Sequence, residues 1–408
     1  MVRMIKLEVL FHSPHYPGLI PMLYLLLASI WIKIILIRLF TKPITLIVEM
    51  KVFIKNTSKY GFSKASWNLF QTQVQPNYPN KVNLYLGRAS PPRFYRFATL
   101  FKEFHQENRQ TLPRKPSCLI MRNEALGDVL LVTPIIKALY EQRNGNIDIH
   151  VATHYVDLFR DNPYVTQVIH KNDLAKQVRD YDIVFNLNGV YEGNPQQHIL
   201  QSYANCILGS SEFDAQPKLY PNATEIYKVQ EVLKNFDRPF IVAHKPNHPW
   251  PNRQISEKIW QEMILAIQQQ SQFDVIQIGS SSDFAFQNQD RFHDHRARYS
   301  VQELSLLIAA SKGFIGIDSG PSHVATCSDV PMAVFFTCAH HEYRKPLRKN
   351  GKFLPLIPSV DCYGCLTKNT MQRTNYYCER GDNACTYSFN ANDLANQVIQ
   401  LFQSESIR

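Results

Sequence analysis

The chain has 408 residues, 45% of them hydrophobic and 19% charged, with a formal net charge of +10. That length exceeds one ordinary core and predicts two domains plus extra segments, and the composition excludes a disordered chain. Eight cysteines in so long a chain exclude a secreted disulfide scaffold, and the basic balance, with no run rich in lysine or arginine, suits anionic lipid or a phosphorylated substrate better than nucleic acid.

Residues 1–115 read as an extension. Leu19 to Ile37 is almost wholly apolar, broken by Pro21, Ser29 and Lys33, and is close to the length that crosses a bilayer. Lys33 lies near the end, where it can snorkel, and Arg38, Lys42, Lys51, Lys55 and Lys59 follow. The positive-inside rule then puts the carboxyl-terminal bulk in the cytoplasm. Spanning the membrane, lying in its interface and packing on the globular body all remain open for this segment. Phe94, Phe97, Phe101 and Phe104 recur at helical spacing beside Arg93, Arg96 and Lys102, which predicts an amphipathic helix.

From Cys118 onward apolar runs alternate with helical patterns. "SCLIMR" reads as a strand and Asp128 to Glu141 as a helix; "IDIHVAT", "VTQVIH" and "YDIVFNLN" read as strands. "FIVAHKP", "FDVIQIGS", "KGFIGIDSG" and "MAVFFTC" form a second group, with helices over Ser256–Gln270 and Val301–Ala310. This alternation predicts an α/β chain of two Rossmann-like domains, 116–236 and 237–408, facing each other across a cleft. No G-x-G-x-x-G follows the first strand, so the dinucleotide fingerprint is absent and a dehydrogenase is excluded.

Two strand-to-helix joints carry polar residues where ligands of such sheets bind. In the first, "MRNEALGDVLLVTP", Gly127 gives the backbone room to pass a ligand and Asp128 stands at the head of the helix. Asp128 suits either a helix cap or a site carboxylate. In the second, "FIGIDSGPSHVAT", Asp318 ends a strand, Ser319 to Ser322 turn, and His323 opens a helix whose N–H groups suit an anion.

Together these stretches resemble glycosyltransferase family 9, the lipopolysaccharide heptosyltransferases. Arg122, Gly127, Asp128, Val129, Leu130 and Pro134 match its first signature; "DNPYVTQVIH" resembles its "NPYVDEVI" segment; Asp318, Ser319, Gly320, His323 and Ala325 match its second. The resemblance implies a GT-B fold, with the acceptor on the first domain, a nucleotide-sugar donor on the second, and inverting transfer that requires no cofactor. It implies Asp128 as the base and Ser319 and Gly320 as diphosphate contacts, with His323 either binding phosphate or packed in its helix. Arg253 falls where the family has a phosphate-binding lysine, although Ile255 and Ser256 replace the family's Trp–Pro. Asp283 falls where the family has a ribose-binding glutamate, one methylene longer. Arg122, His244 and Lys245 are expected in the same cleft, facing phosphate or acceptor, and Asp318 is expected to order its loop.

Cys362, Cys365, Cys378 and Cys385 are spaced C-x2-C-x12-C-x6-C, which suits either free thiols or a structural zinc. The function implied is transfer of a sugar, heptose from ADP-heptose, to an anionic glycolipid of the lipopolysaccharide core. The setting would be the cytoplasmic face of a bacterial inner membrane, with the chain peripheral or anchored by one span. Transfer of another sugar, epimerisation of a nucleotide-sugar, and a non-catalytic assembly module are the alternatives.

Overall fold

The computed structural model describes the backbone of residues 3–12 and 46–55, and residues 115–404 apart from 124, 175–180, 193–195, 210–211, 248–249, 287–289, 369–377 and 379. The chain divides into two units, Met1–Pro92 and Arg93–Arg408. In the first, β1 (Arg3–His12) pairs in parallel with β2 (Leu46–Lys55). The apolar stretch 19–37 and the phenylalanine-rich stretch 94–104 lie outside the described residues. No helix among the described residues is long and apolar enough to cross a membrane.

The second unit contains two parallel sheets. In the four-stranded sheet, β3 (Ser117–Met121) lies between β4 (Asp148–Thr153) and β6 (Ile183–Asn186), with β5 (Gln167–His170) at the edge beside β4. The six-stranded sheet is built from β7 (Phe240–His244), β8 (Asp274–Gln277), β9 (Phe292–Asp294), β10 (Phe314–Ile317), β11 (Met332–Phe335) and β12 (Phe353–Leu356). Its strand order is β12-β11-β10-β7-β8-β9. The α/β class expected from the alternating pattern is therefore the one observed. Two edge strands, β9 and β12, were not legible: β9 has three residues and β12 carries Pro355, which an edge tolerates.

The first helical pattern is broken in two. Helix α1 (Leu126–Leu130) ends, Leu131 and Val132 turn, and α2 (Thr133–Gln142) begins with Pro134 in its first turn. Proline lacks the N–H that a continuous helix would need there but is suited to a first turn. Helices α3 (Ile199–Ile207) and α4 (Ala223–Leu233) complete the first half. Helix α4 opens with a full capping box, Asn222 and Glu225 each bonding the other's backbone N–H. In the second half follow α5 (Glu257–Gln270), α6 (Val301–Ala309), α7 (Gly320–Ala325), α8 (Cys365–Lys368) and α9 (Ala391–Gln403).

Strands β3, β7, β10 and β11 are buried on both faces, as parallel strands covered by helices must be. Alternate residues of β7 therefore serve different cores. Val242 joins an apolar cluster that also takes in Ile120, Ile149 and Phe185 of the first sheet; Ile241 and Ala243 join a second cluster with Trp260 of α5 and Val398 of α9. One core thus runs through both sheets, and the other seals the far face of the second.

His198 fastens the two halves. As N-cap of α3 its Nδ1 accepts from the Leu200 N–H at 3.2 Å, so Nε2 carries the proton and donates to the Lys345 carbonyl at 2.9 Å. Burial lowers its pKa to about 4, with Arg344, His323 and Lys345 adding to the effect. The folded state holds it neutral while the unfolded chain takes up a proton below about 6.5. Stability from this residue is therefore complete above that pH and is lost as pH falls toward about 4. We expect the melting temperature to drop between pH 7 and pH 5, with about 2 kcal/mol from His198. His198→Asn should show a smaller drop in the same scan.

Candidate active site

Both sheets reverse their winding direction, between β3 and the edge strand β6 in the first and between β7 and β10 at the centre of the second. Open parallel sheets bind ligands at such switch points, outside the carboxyl ends of the strands. Residues just beyond β3 and β6 are Arg122, Asp128 and Leu187–Glu192; residues at or beyond β7 and β10 are His244, Asp318 and Ser319. The two joints singled out in the sequence are these two crevices.

At the first joint the turn is made by Ala125, not by glycine. Ala125 adopts φ 65° and is the N-cap of α1, and it offers no side-chain cap. Asp128 is thus not the cap. It lies in the first turn, buried, and its Oδ2 accepts from the Arg122 guanidinium and from the Tyr191 hydroxyl at 2.8 Å. Arg122 also donates to the Leu187 carbonyl at 3.2 Å and, through both terminal nitrogens, to Glu192 Oε1 at 3.1 Å. Burial works against the guanidinium charge, but Tyr203, Asp128, Glu192 and Tyr191 outweigh it and hold its pKa above the ordinary range. Burial pushes the Glu192 carboxyl up, against the pull of Arg122.

Gly127 has a different use from the one expected. A Cβ built there would overlap the imidazole of His323, which arrives from α7 on the other sheet. Likewise a Cβ on Gly320 would sit 3.2 Å from Leu126 Cδ2. The bare backbone is needed for the close approach of α1 and α7, and it leaves no ligand space at that point.

The second joint is tied together by charge. Asp318 is buried and its Oδ2 accepts from Arg253 Nη2 at 2.9 Å, while Oδ1 lies 3.9 Å from His323 Nε2. Burial raises the Asp318 carboxyl, but Arg253, His323 and Arg344 prevail and leave it below the usual carboxylate range. Burial also lowers His323, with Arg253 and Arg344 adding to the effect against Asp318 and Asp128. The Arg253 guanidinium carbon lies 5.5 Å from the Trp250 ring centroid, and its Nε is buried without a partner among the described residues. The Ser319 hydroxyl donates to the Ile317 carbonyl at 3.1 Å and meets His244 Nδ1 at 3.2 Å.

Asp283 lies beside this group. Its Oδ2 accepts from the Ser280 N–H at 2.6 Å and stands 3.6 Å from His244 Nε2; its Oδ1 accepts from the Asn247 N–H at 3.2 Å. Burial opposes ionisation, yet these partners hold the carboxyl at about 2. Gly279, at φ 137°, makes room for it. A cavity of about 220 Å³ opens here, lined by His244, Asp283, His295, Arg298, Tyr299 and Pro321 among others. Lys245 does not line it: one position on along the chain, its ammonium lies 4.6 Å from the Phe284 ring centroid and 3.9 Å from Glu257.

The cysteines do not gather as ligands. All are free thiols, and among the described residues no group of three or more His, Cys, Asp or Glu could hold a metal ion. Cys378 Sγ lies 3.7 Å from Asp382, Cys362 Sγ lies 3.8 Å from Arg380, and Cys385 Sγ lies 3.7 Å from the Asn252 carbonyl. Burial, with Cys338, Cys365, Cys362 and Cys378 adding to it, pushes the Cys385 thiol up to about 12.

Tyr191, Glu192, His198, Arg344 and the cavity residues His295, Arg298 and Tyr299 escaped the sequence reading. All lie on connecting segments or at strand ends without periodicity. We expect Gly127→Ala to displace His323 and part the two crevices, lowering turnover by about 100-fold while the melting temperature changes little. A variant with wild-type turnover would contradict the tight approach.

Comparisons with known proteins agree with this geometry. The model of "Glycosyltransferase family 9 (heptosyltransferase)" matches residues 163–373. No curated protein matches the chain. Among solved structures it is similar to a family 9 glycosyl transferase of Veillonella parvula, with 13% identity and a TM-score of 0.56 over 72% of this chain and 99% of that one. It is similar also to the dodecameric, iron-containing glycosyltransferase TibC of enterotoxigenic E. coli, with 17% identity and a TM-score of 0.56 over 72% and 80%. TibC in complex with ADP-D-beta-D-heptose gives 16% identity and a TM-score of 0.55 over 72% and 78%. At these identities the structures speak for the fold, while the family model spans more than half of the chain. The chain belongs to glycosyltransferase family 9, the heptosyltransferase family.

Proposed function

We propose that the enzyme transfers heptose from ADP-heptose to a lipopolysaccharide core acceptor, with inversion and without a metal, and that Asp128 is its base. One observation carries the reading: the Gly127–His323 approach sets the Asp128 carboxylate against the Asp318–His323 loop of the other sheet. The acceptor hydroxyl gives its proton to Asp128 as its oxygen bonds to the anomeric carbon. The bond from that carbon to the diphosphate breaks on the opposite face, and its electron pair leaves with the phosphate oxygen. A carboxylate is a weak base, so it acts as the hydroxyl acidifies in the transition state.

The departing diphosphate gains charge, which Arg253, aligned by Asp318, and the Gly320 N–H are suited to receive. Ser319 and His323 complete that edge. The cavity beside Asp283 and His244 takes the nucleoside, with the Asp283 carboxylate toward the ribose. That TibC was solved with ADP-heptose supports the choice of donor. The cysteine quartet is not arranged among the described residues to hold iron or zinc, and no step is assigned to a metal. Residues 19–37 and the basic residues after them would hold the enzyme at the cytoplasmic face of the inner membrane, where an anionic glycolipid is presented. An enzyme with this ordered carboxylate–guanidinium machinery is not well explained as an assembly module.

The test is direct. Purified enzyme is incubated with ADP-heptose and a heptose-deficient core glycolipid, and the product is weighed by mass spectrometry. The wild type should add one heptose. Arg253→Ala should lose about 100-fold in turnover. Transfer only from a different nucleotide-sugar would contradict the donor assignment, and full activity of Arg253→Ala would contradict the account of the leaving group. Chelator treatment should leave the rate unchanged.

A further inference from the structure

The segment after β6 carries a side chain that the proposed transfer does not yet employ. Tyr191 is buried, and its hydroxyl donates to the same Asp128 oxygen, Oδ2, that Arg122 holds. Among the described residues no donor reaches Oδ1. The carboxylate is therefore asymmetric, one oxygen taken twice and the other left for a ligand. The Tyr191 ring is itself fixed from both halves of the cleft. The Arg122 guanidinium carbon lies 5.2 Å from its centroid, and that of Arg344, on the segment after β11, lies 4.9 Å away. Its edge meets Tyr203 of α3 with the centroids 6.4 Å apart. Burial, with Asp128 and Glu192 adding to it, pushes the Tyr191 hydroxyl well above its usual pKa, so it keeps its proton and serves as donor.

We propose that Tyr191 is the positioning residue of the transfer, engaging Oδ2 of Asp128 so that Oδ1 alone meets the acceptor hydroxyl. The inference rests on the reading of Asp128 as base. An aspartate held at one oxygen by two donors cannot turn about its terminal torsion without breaking both bonds. Its free oxygen then keeps one direction while acceptors come and go, which is the orientation that in-line transfer needs. Arg344 extends the arrangement to the donor half. It braces the tyrosine ring, and its charge also acts on Asp318 and His323. The other charged or titratable groups that face Asp128 are Arg122 at the end of β3, Glu192 after β6, Tyr203 on α3, His323 on α7 and Arg253.

Tyr191→Phe keeps the ring and its cation contacts and removes only the hydroxyl. We expect kcat to fall by about 10- to 100-fold with the donor KM changed by less than about twofold. Affinity for ADP, measured by calorimetry, should stay within about twofold of wild type, which marks an intact donor half. Wild-type kcat would overturn the proposal. So would a fall in kcat matched by loss of ADP binding, since the tyrosine would then be structural. Asp128→Asn is assayed alongside: if it is inactive while Tyr191→Phe is unchanged, only the inference on Tyr191 fails. If Asp128→Asn is active, the reading of the base fails first.

Discussion

The whole arrangement depends on a backbone without a side chain. At Gly127 the first helix of one sheet meets the His323 imidazole of the other, and no other residue type would let them come so close. The contact spans two switch points that lie far apart in sequence. It turns two ordinary strand-to-helix joints into facing walls of one crevice. Gly320 against Leu126 and His198 against the Lys345 carbonyl repeat the same fastening on either side. Small residues and backbone groups do this work, so the walls can approach while their charged side chains turn inward.

Charge inside that crevice is paired in advance. Arg122 binds Asp128 and Glu192, and Arg253 binds Asp318. Each guanidinium would be costly to bury alone, and each carboxylate likewise; together they hold one another in a fixed direction. A carboxylate is a weak base, so on the proposed reading proton transfer accompanies bond formation and does not precede it. On the proposed reading an arginine already engaged by Asp318 receives the diphosphate without reorganising.

The sequence made the frame legible because buried parallel strands are unbroken apolar runs and their ends are abruptly polar. "SCLIMR" and "KGFIGIDSG" read as strands and form strands, and Asp128, Asp318 and Ser319 stand just beyond their carboxyl ends. The short edge strands Phe292–Asp294 and Phe353–Leu356 could not be read, since three or four residues, one of them a proline, carry no period. Tyr191, Glu192 and Arg344 were hidden for another reason. They reach the site from loops, and only the tertiary approach of β6 to β3, and of the two sheets to each other, brings Tyr191 and Glu192 to Arg122 and Asp128 and Arg344 to the Tyr191 ring. Lys245 follows His244 in the chain, but its ammonium lies toward Phe284 and Glu257.

On the proposed reading Asp128 alone meets the acceptor while Glu192 stays tied to Arg122, which permits one displacement and no covalent sugar intermediate. The anomeric configuration of the product tests this most directly, read by proton NMR from the coupling at the newly formed linkage. The account predicts a configuration opposite to that of the donor. A product that retains the donor configuration would require a second nucleophile in the crevice and would contradict it.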